Sequence, residues 1–217
     1  EGVTVTEGII ERSNDPAVHD RAVIHVRKPT LKVFRPAKPD GSAMLVLPGG
    51  GYQRVVLDKE GDETAMRLAS TGVTAAVLVY RLPEDGWAAG RDAPLQDAQR
   101  AMRLLRSGRV AAGVDAKRVG VLGFSAGGHL AAALTLEGAR RTYADIDAAD
   151  TLLALPDFAA LIYAAYLDGT GSPALLKGAG AARDLIAAAR SDTQPIFLLH
   201  AADDATVPAE SSVRMYR

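Results

Sequence analysis

The chain has 217 residues, of which 48% are hydrophobic and 24% are charged, and its formal net charge is -1. This balance excludes the strongly basic surface of a nucleic-acid-binding protein, and no apolar run reaches the roughly 18 residues of a membrane-spanning helix. Cysteine is absent, which excludes disulfides and thiolate metal sites. The length suits a single domain that spans residues 1–217.

The first predicted elements are two short strands with alternating apolar residues. They cover residues 21–27 and 31–35 and are separated by Pro29 and Thr30. Two alternating strands with a short break between them favour a hairpin. We therefore expect an antiparallel hairpin at the N-terminal edge of the sheet.

From residue 43 onward, strand-like and helix-like segments alternate. The predicted strands are residues 43–47, 73–80, 118–123, 158–164 and 196–200, and the predicted helices are residues 59–70, 93–112 and a segment that begins at Ser125. This alternation is typical of an α/β protein with a mostly parallel sheet and helices on both faces. The Ala/Gly-rich residues 168–192 are predicted to form a small lid or a crossover helix.

A serine flanked by glycines gives the strongest signal for chemistry. The segment Gly123-Phe124-Ser125-Ala126-Gly127 matches G-x-S-x-G between a predicted strand and a predicted helix. Such a turn strains the serine backbone and raises its hydroxyl above the sheet, and it leaves no room for side chains at the two glycines. A chance match is the alternative in a chain with 21 glycines. The strand-to-helix context favours Ser125 as a nucleophile.

A second glycine-rich segment follows the predicted strand 43–47. Its sequence is Pro48-Gly49-Gly50-Gly51-Tyr52. Acyl transfer passes through a tetrahedral oxyanion that needs preorganised N–H donors. With a serine turn present, one donor is expected at the residue after the serine, Ala126, and the other in a loop after an earlier strand, at Gly50 or Gly51. A triple glycine on its own could equally be a flexible turn.

Two neighbouring aspartates, Asp203 and Asp204, follow the last predicted strand. An acid in this position can orient a catalytic histidine and stabilise its imidazolium. Either aspartate could instead be a solvated turn or helix-cap residue. The chain order, with Ser125 before the acid, agrees with hydrolases that carry the serine on a strand-to-helix turn.

Together these segments resemble bacterial α/β-hydrolases of the acetyl esterase and acetylxylan esterase type, related to dienelactone hydrolase-like and feruloyl esterase-like proteins. The resemblance runs from about residue 31 to the end and rests on residues 48–52, 80–82, 94, 97–101, 123–131 and 200–208. It implies an α/β-hydrolase fold and ester hydrolysis without a metal or an organic cofactor. The late motif of such proteins, H-x-x-x-D-x-x-V-P, implies Asp204 as the triad acid, with Asp203 as the runner-up.

The resemblance also implies a substrate class. We expect short-chain, acetyl-type esters, either small molecules or plant polysaccharides such as xylan, and candidate substrate-binding residues at Tyr52 and His129. A polysaccharide substrate favours a secreted or periplasmic protein, although the sequence itself indicates neither a compartment nor an oligomeric state.

The general base of the triad is not evident in the sequence. In this fold the catalytic histidine follows the acid along the chain, whereas His19, His25, His129 and His200 all precede Asp204. We therefore expect the triad histidine to lie beyond residue 217.

Other interpretations of the sequence remain. A serine peptidase or a lipase could use the same scaffold, and a catalytically inactive relative could bind carbohydrate or a partner without turnover. A dinucleotide-binding protein is excluded, because Ser125 stands where the second glycine of G-x-G-x-x-G would admit the pyrophosphate.

Overall fold

The computed structural model describes residues 3–170 and 183–217. The strands in these ranges are β1 (Gly8–Glu11), β2 (Arg21–Ile24), β3 (Thr30–Phe34), β4 (Ala43–Leu47), β5 (Val55–Val56), β6 (Thr74–Val79), β7 (Val119–Phe124), β8 (Ala159–Ile162) and β9 (Ile196–Leu199). Six of them form the main sheet in the order β3-β6-β4-β7-β8-β9. β3 runs antiparallel to β6, and all other neighbours are parallel.

Helices cover both faces of this sheet. They are α1 (Glu63–Ser70), α2 (Ala93–Arg106), α3 (Ser125–Glu137), α4 (Leu185–Ala188) and α5 (Glu210–Tyr216). All of β4 is buried, and its successive side chains point into the cores on opposite faces of the sheet. Leu45 belongs to the core with α2 and α3, whereas Met44 and Val46 belong to a smaller core with α1. The continuous apolar run of β4 therefore reflects burial on both faces.

The predicted N-terminal hairpin is wrong. β2 pairs with β1 and β5 in a separate antiparallel sheet, and β3 pairs with β6 at the edge of the main sheet. His25, directly after β2, has a φ of 53° in the left-handed region. Such a residue turns the chain out of the plane of its strand, so β3 leaves β2 and reaches the antiparallel edge of the main sheet.

The helices differ from the predictions at their ends. α2 stops at Arg106 rather than residue 112, because Gly108 takes a left-handed φ of 71° that glycine adopts without a Cβ penalty. A π-helical turn, Asp58–Asp62, precedes α1. Of the predicted lid or crossover at 168–192, residues 171–182 lie outside the described residues, and α4 occupies part of the remainder. None of the helices in the described ranges is long and apolar enough to span a membrane.

Candidate active site

Ser125 lies on a tight turn between β7 and α3. The extended conformation persists through Phe124, which has φ -111° and ψ 135°, and the helix begins at the next residue. Ser125 itself has a φ of 51°, in the left-handed region. A residue with a Cβ is strained there by about 1–2 kcal/mol. The turn predicted from G-x-S-x-G is therefore present, with Ser125 at its strained position.

The two flanking glycines are required by close backbone contacts. A Cβ at Gly123 would lie 2.1 Å from the carbonyl oxygen of Gly127, and a Cβ at Gly127 would lie 2.0 Å from the carbonyl oxygen of Leu47. Both distances are far shorter than any van der Waals contact, and backbone atoms cannot rotate away as a flexible side chain can. The predicted steric need for glycine at both positions is confirmed.

These contacts predict a large loss of stability for Gly127→Ala. We expect its free energy of unfolding to fall by about 3 kcal/mol, because β4 and α3 must separate to admit the methyl group. Gly8→Ala is the matched control, since a Cβ at Gly8 would make an ordinary contact of 3.6 Å with Ile24. Urea denaturation followed by circular dichroism measures both variants. Equal stability of the two variants would contradict the packing described for the turn.

The loop after β4 lies next to Ser125, since a Cβ at Gly49 would be 3.0 Å from the Cβ of Ser125. Gly50, Gly51 and Tyr52 have φ values of 129°, 65° and 61°, and a Cβ at Gly50 would lie 2.2 Å from the carbonyl oxygen of Arg54. Within the described part of the chain, no acceptor is hydrogen-bonded to the N–H of Gly50 or Gly51. The N–H of Ala126 lies in the first turn of α3, where no acceptor exists within the helix. Three N–H donors thus remain for a ligand.

One cavity brings together four of the residues predicted from the sequence. It has a volume of about 790 Å³ and is lined by Ser125, Gly50, Gly51 and Asp204, among others. Parallel strands carry their carboxyl ends to the same edge of the sheet, and ligands of open α/β sheets bind at that edge. The three segments at residues 48–52, 123–127 and 203–208 are therefore brought together by the topology of the sheet.

Asp204 rather than Asp203 lines this cavity. Its carboxylate accepts hydrogen bonds from the backbone N–H groups of Val207 at 2.9 Å and Thr206 at 2.8 Å. These bonds lower the pKa of the Asp204 carboxyl below its ordinary value. Asp203 is exposed and lies outside the cavity lining.

Within residues 3–170 and 183–217, no histidine lines the cavity that contains Ser125. The side chain of His200 is only 5% exposed and lies beneath the aspartate loop, where its Nε2 donates to the carbonyl oxygen of Val207 at 2.7 Å and its Nδ1 contacts the Ser212 hydroxyl at 2.7 Å. His25 pairs with Asp85 at 2.8 Å. Nε2 of His200 also lies 3.7 Å from Oδ2 of Asp204, but neither His200 nor His25 reaches the lining of the cavity.

Tyr52 and His129, the predicted substrate-binding residues, lie outside the lining of the cavity that contains Ser125. Both are buried, and the Tyr52 hydroxyl is hydrogen-bonded to Nδ1 of His129 at 2.8 Å. They line a second cavity of about 30 Å³ together with Leu95 and Arg183. We interpret this pair as an anchor that fixes the glycine loop to α3.

Burial lowers the pKa of His129 to about 4. The pKa of this histidine is therefore lower in the folded state than in the unfolded chain, where it is near 6.5. The protein keeps its full stability above pH 6.5 and loses stability as pH falls from 6.5 toward 4, because the unfolded chain binds a proton first. We expect a loss of up to about 3 kcal/mol over that range. His129→Gln removes the titration and keeps a hydrogen-bonding partner for Tyr52. The free energy of unfolding, measured with denaturant from pH 7 to pH 4, should depend less on pH in this variant than in wild type. An equal pH dependence in both proteins would refute the lowered pKa of His129.

Among the cavity residues that were not predicted from the sequence, Glu60 and Tyr163 are hydrogen-bonded to each other. Glu60 lies in the π-helical turn before α1, and Tyr163 follows β8 with a φ of 38°. The Glu60 carboxylate accepts a hydrogen bond from the N–H of Gly49 at 2.6 Å and another from the Tyr163 hydroxyl at 3.0 Å. An isolated glutamate in a polar helical segment carries no sequence signal for such contacts.

The described residues hold no group of three or more histidine, aspartate or glutamate side chains that could bind a metal ion. The cavity that contains Ser125 combines backbone N–H groups of the glycine loop, as donors, with the carboxylate of Asp204, as an acceptor. This set suits a developing negative charge next to a hydroxyl nucleophile.

Comparison with known proteins extends these observations. The model of the BD-FAE family matches residues 31–154. An acetylxylan esterase from Xylanibacter ruminicola is 32% identical over 108 residues, which are 50% of this chain and 22% of that protein. Endo-1,4-beta-xylanase B from Butyrivibrio fibrisolvens is 30% identical over 184 residues, which are 78% of this chain and 28% of that protein. The chain thus spans about a quarter of the length of these two curated relatives.

A solved structure agrees with the fold. The crystal structure of an acetyl ester-xyloside bifunctional hydrolase from Caldicellulosiruptor lactoaceticus superposes with a TM-score of 0.71 and 30% sequence identity. The match covers 93% of this chain and 74% of that chain. The predicted fold class, a mostly parallel sheet with helices on both faces and an antiparallel N-terminal edge, is confirmed.

Proposed function

Because the chain belongs to the BD-FAE family and has the α/β-hydrolase fold, we propose that it is a serine hydrolase that cleaves short-chain, acetyl-type carboxylic esters. One observation carries the proposal: Ser125, strained on its strand-to-helix turn, shares a cavity with Asp204, Gly50 and Gly51, and the N–H groups of the two glycines have no acceptor among the described residues. A nucleophile, an acid and oxyanion donors are the parts that acyl transfer requires.

In the proposed mechanism, the Ser125 hydroxyl attacks the ester carbonyl and loses its proton to a histidine. The negative charge that develops on the carbonyl oxygen is stabilised by the N–H groups of Ala126 and of Gly50 or Gly51. The histidine then protonates the leaving alcohol, and water hydrolyses the acyl-enzyme by the same route in reverse. Asp204 orients the histidine and stabilises its imidazolium.

We assign the role of general base to none of the four histidines in residues 1–217. His19, His25, His129 and His200 all lie outside the cavity lining, and in this fold the histidine follows the acid along the chain. The low pKa of Asp204 keeps its carboxylate charged at neutral pH, as an acid that stabilises an imidazolium must be.

The names of the relatives and the polar lining of the cavity support a proposal for the substrate class. Xylan or a xyloside occurs in the names of all three relatives, and two of those names specify an ester hydrolase. The cavity is lined by polar side chains that could bind sugar hydroxyls, namely Arg12, Gln53, Arg54, Asp168 and Glu210. We propose an acetyl group on the acyl side and a sugar or polysaccharide as the alcohol.

The test combines covalent labelling with a substrate panel. The full-length protein is treated with a fluorophosphonate, and the modified peptide is identified by mass spectrometry. One adduct on Ser125 supports the proposal, as does a higher kcat/KM for acetyl esters than for long-chain esters or aminoacyl amides. An unlabelled Ser125 in intact full-length protein refutes a serine mechanism, and a preference for long-chain esters or amides favours a lipase or a peptidase instead.

A further inference from the structure

We propose that Glu60 is a positioning residue that fixes the glycine loop in the conformation needed for oxyanion binding, with Tyr163 holding the Glu60 carboxylate in place. This inference rests on the proposed function. Neither residue belongs to the triad or to the oxyanion donors.

The Glu60 carboxylate connects the two sides of the cavity. Its Oε2 accepts the N–H of Gly49 at 2.6 Å, and its Oε1 accepts the Tyr163 hydroxyl at 3.0 Å. A Cβ placed on Gly49 would lie 2.9 Å from Oε2 and 3.0 Å from the Ser125 Cβ. The carboxylate, the start of the glycine loop and the serine side chain therefore meet at one point.

The backbone around Glu60 places its carboxylate next to the glycine loop. Its π-helical turn is closed by the N–H of Asp62, which donates to the carbonyl oxygen of Leu57 at 2.7 Å. Single π-helical turns are rare and occur frequently at functional sites. The adjacent Gly61 packs tightly against β6, since a Cβ there would lie 3.1 Å from Cγ1 of Val77. The turn is thus held on the sheet while Glu60 reaches the loop.

Tyr163 is equally constrained on the other side. Its φ of 38° is unfavourable for a residue with a side chain, and its N–H donates to the carbonyl oxygen of Leu199 at 2.7 Å. Burial, reinforced by the charge of Glu60, raises the pKa of the Tyr163 hydroxyl. The hydroxyl therefore remains protonated and donates to the carboxylate.

The contact with Gly49 acts on the two residues that follow it. Gly50 and Gly51 have left-handed φ values and no acceptors among the described residues, so their orientation depends on how the loop is anchored. Glu60 anchors its first peptide, and Tyr52 anchors its end through His129. A displacement of about 1 Å in a catalytic group lowers the rate by about 100-fold, and the loss of one oxyanion donor lowers it by about 10²–10³-fold.

The experiment compares Glu60→Ala, Glu60→Gln and Tyr163→Phe in the full-length protein. We expect Glu60→Ala to lower kcat for an acetyl ester by about 100-fold, with KM changed by less than about threefold, because the proposed role of Glu60 is to hold the glycine loop and not to bind the substrate. Glu60→Gln should retain kcat within about fivefold of wild type, since the amide oxygen can accept from Gly49 and the hydroxyl of Tyr163 can accept from the amide. The kcat of Tyr163→Phe should lie between those of Glu60→Ala and Glu60→Gln.

A second measurement reports on the loop without any turnover. Hydrogen–deuterium exchange of peptides that contain Gly49 should be faster in Glu60→Ala than in wild type and Glu60→Gln, whereas Glu63→Ala, an exposed glutamate on α1, should match wild type. If Glu60→Ala does not fold, the inference is tested with Glu60→Gln and Tyr163→Phe, by kcat and by the exchange of peptides that contain Gly49.

Three results would overturn the inference: an unchanged kcat in Glu60→Ala, a rise in KM alone, or equal losses of kcat in Glu60→Ala and Glu60→Gln. The last would mean that the charge, and not the contact with Gly49, is what matters. Failure of the proposed function looks different, since wild type would then hydrolyse no ester and leave Ser125 unlabelled. The exchange measurement still decides in that case whether Glu60 anchors the loop.

Discussion

Replacing Ser125 with alanine is expected to lower kcat for acetyl esters by roughly 10⁵–10⁶-fold, with little change in KM. The substitution removes the oxygen that would form the acyl-enzyme and keeps the Cβ, so the cavity and its N–H donors persist. A small residual rate over water should remain, because the oxyanion donors and substrate binding do not need the serine. Steady-state kinetics with a chromogenic acetyl ester, together with fluorophosphonate labelling, measure this loss.

The control for this variant is Ser211→Ala. Ser211 lines the same cavity but lies on α5, away from the strand-to-helix turn. It should retain wild-type kcat and labelling. The free energy of unfolding of Ser125→Ala should match that of wild type, since alanine meets the same left-handed φ. Full activity in Ser125→Ala, or loss in Ser211→Ala alone, would remove Ser125 from the mechanism.

Replacing Asp204 with asparagine is expected to lower kcat by about 10⁴-fold. Asparagine keeps the shape of the side chain but not its charge, so it cannot stabilise the imidazolium or enforce the correct tautomer. Its oxygen can still accept from Val207 and Thr206, and the loop should therefore keep its conformation. Kinetics and circular dichroism of the same preparation separate a loss of chemistry from a loss of structure.

Asp203→Asn provides the matched control one residue away. Asp203 is exposed and outside the cavity lining, so its variant should retain kcat within about twofold. A larger loss in Asp203→Asn than in Asp204→Asn would transfer the role of triad acid to Asp203.

The parts of the site that depend on local geometry were predictable from the sequence. Gly123 and Gly127 are dictated by a turn in which a Cβ would meet backbone at about 2 Å, and any sequence that forms this turn must show them. The apolar run of β4 likewise reports burial on both faces. Such requirements act within a few residues, so they leave a readable pattern.

The parts that depend on distant contacts were not predictable. β2 and β3 alternate as hairpin strands do, yet their pairing partners are decided by the turn at His25 and by the free edges of two sheets. Nothing in the sequence around Tyr52 indicates that its hydroxyl is hydrogen-bonded to the buried His129. Glu60 resembles any solvated helix residue, and only the tertiary structure brings it to Gly49.

The sheet order has a consequence for how the protein folds. β4 is central, yet Met44 pairs with Ala75 on one side and with Gly120 on the other. Parallel strands need long crossovers, and closing those loops costs entropy before any pairing is gained. Folding is therefore expected to be slow, on the order of milliseconds to seconds or longer. Until β7 is in place, β4 exposes an apolar edge, which makes association between incompletely folded chains the main competitor of folding.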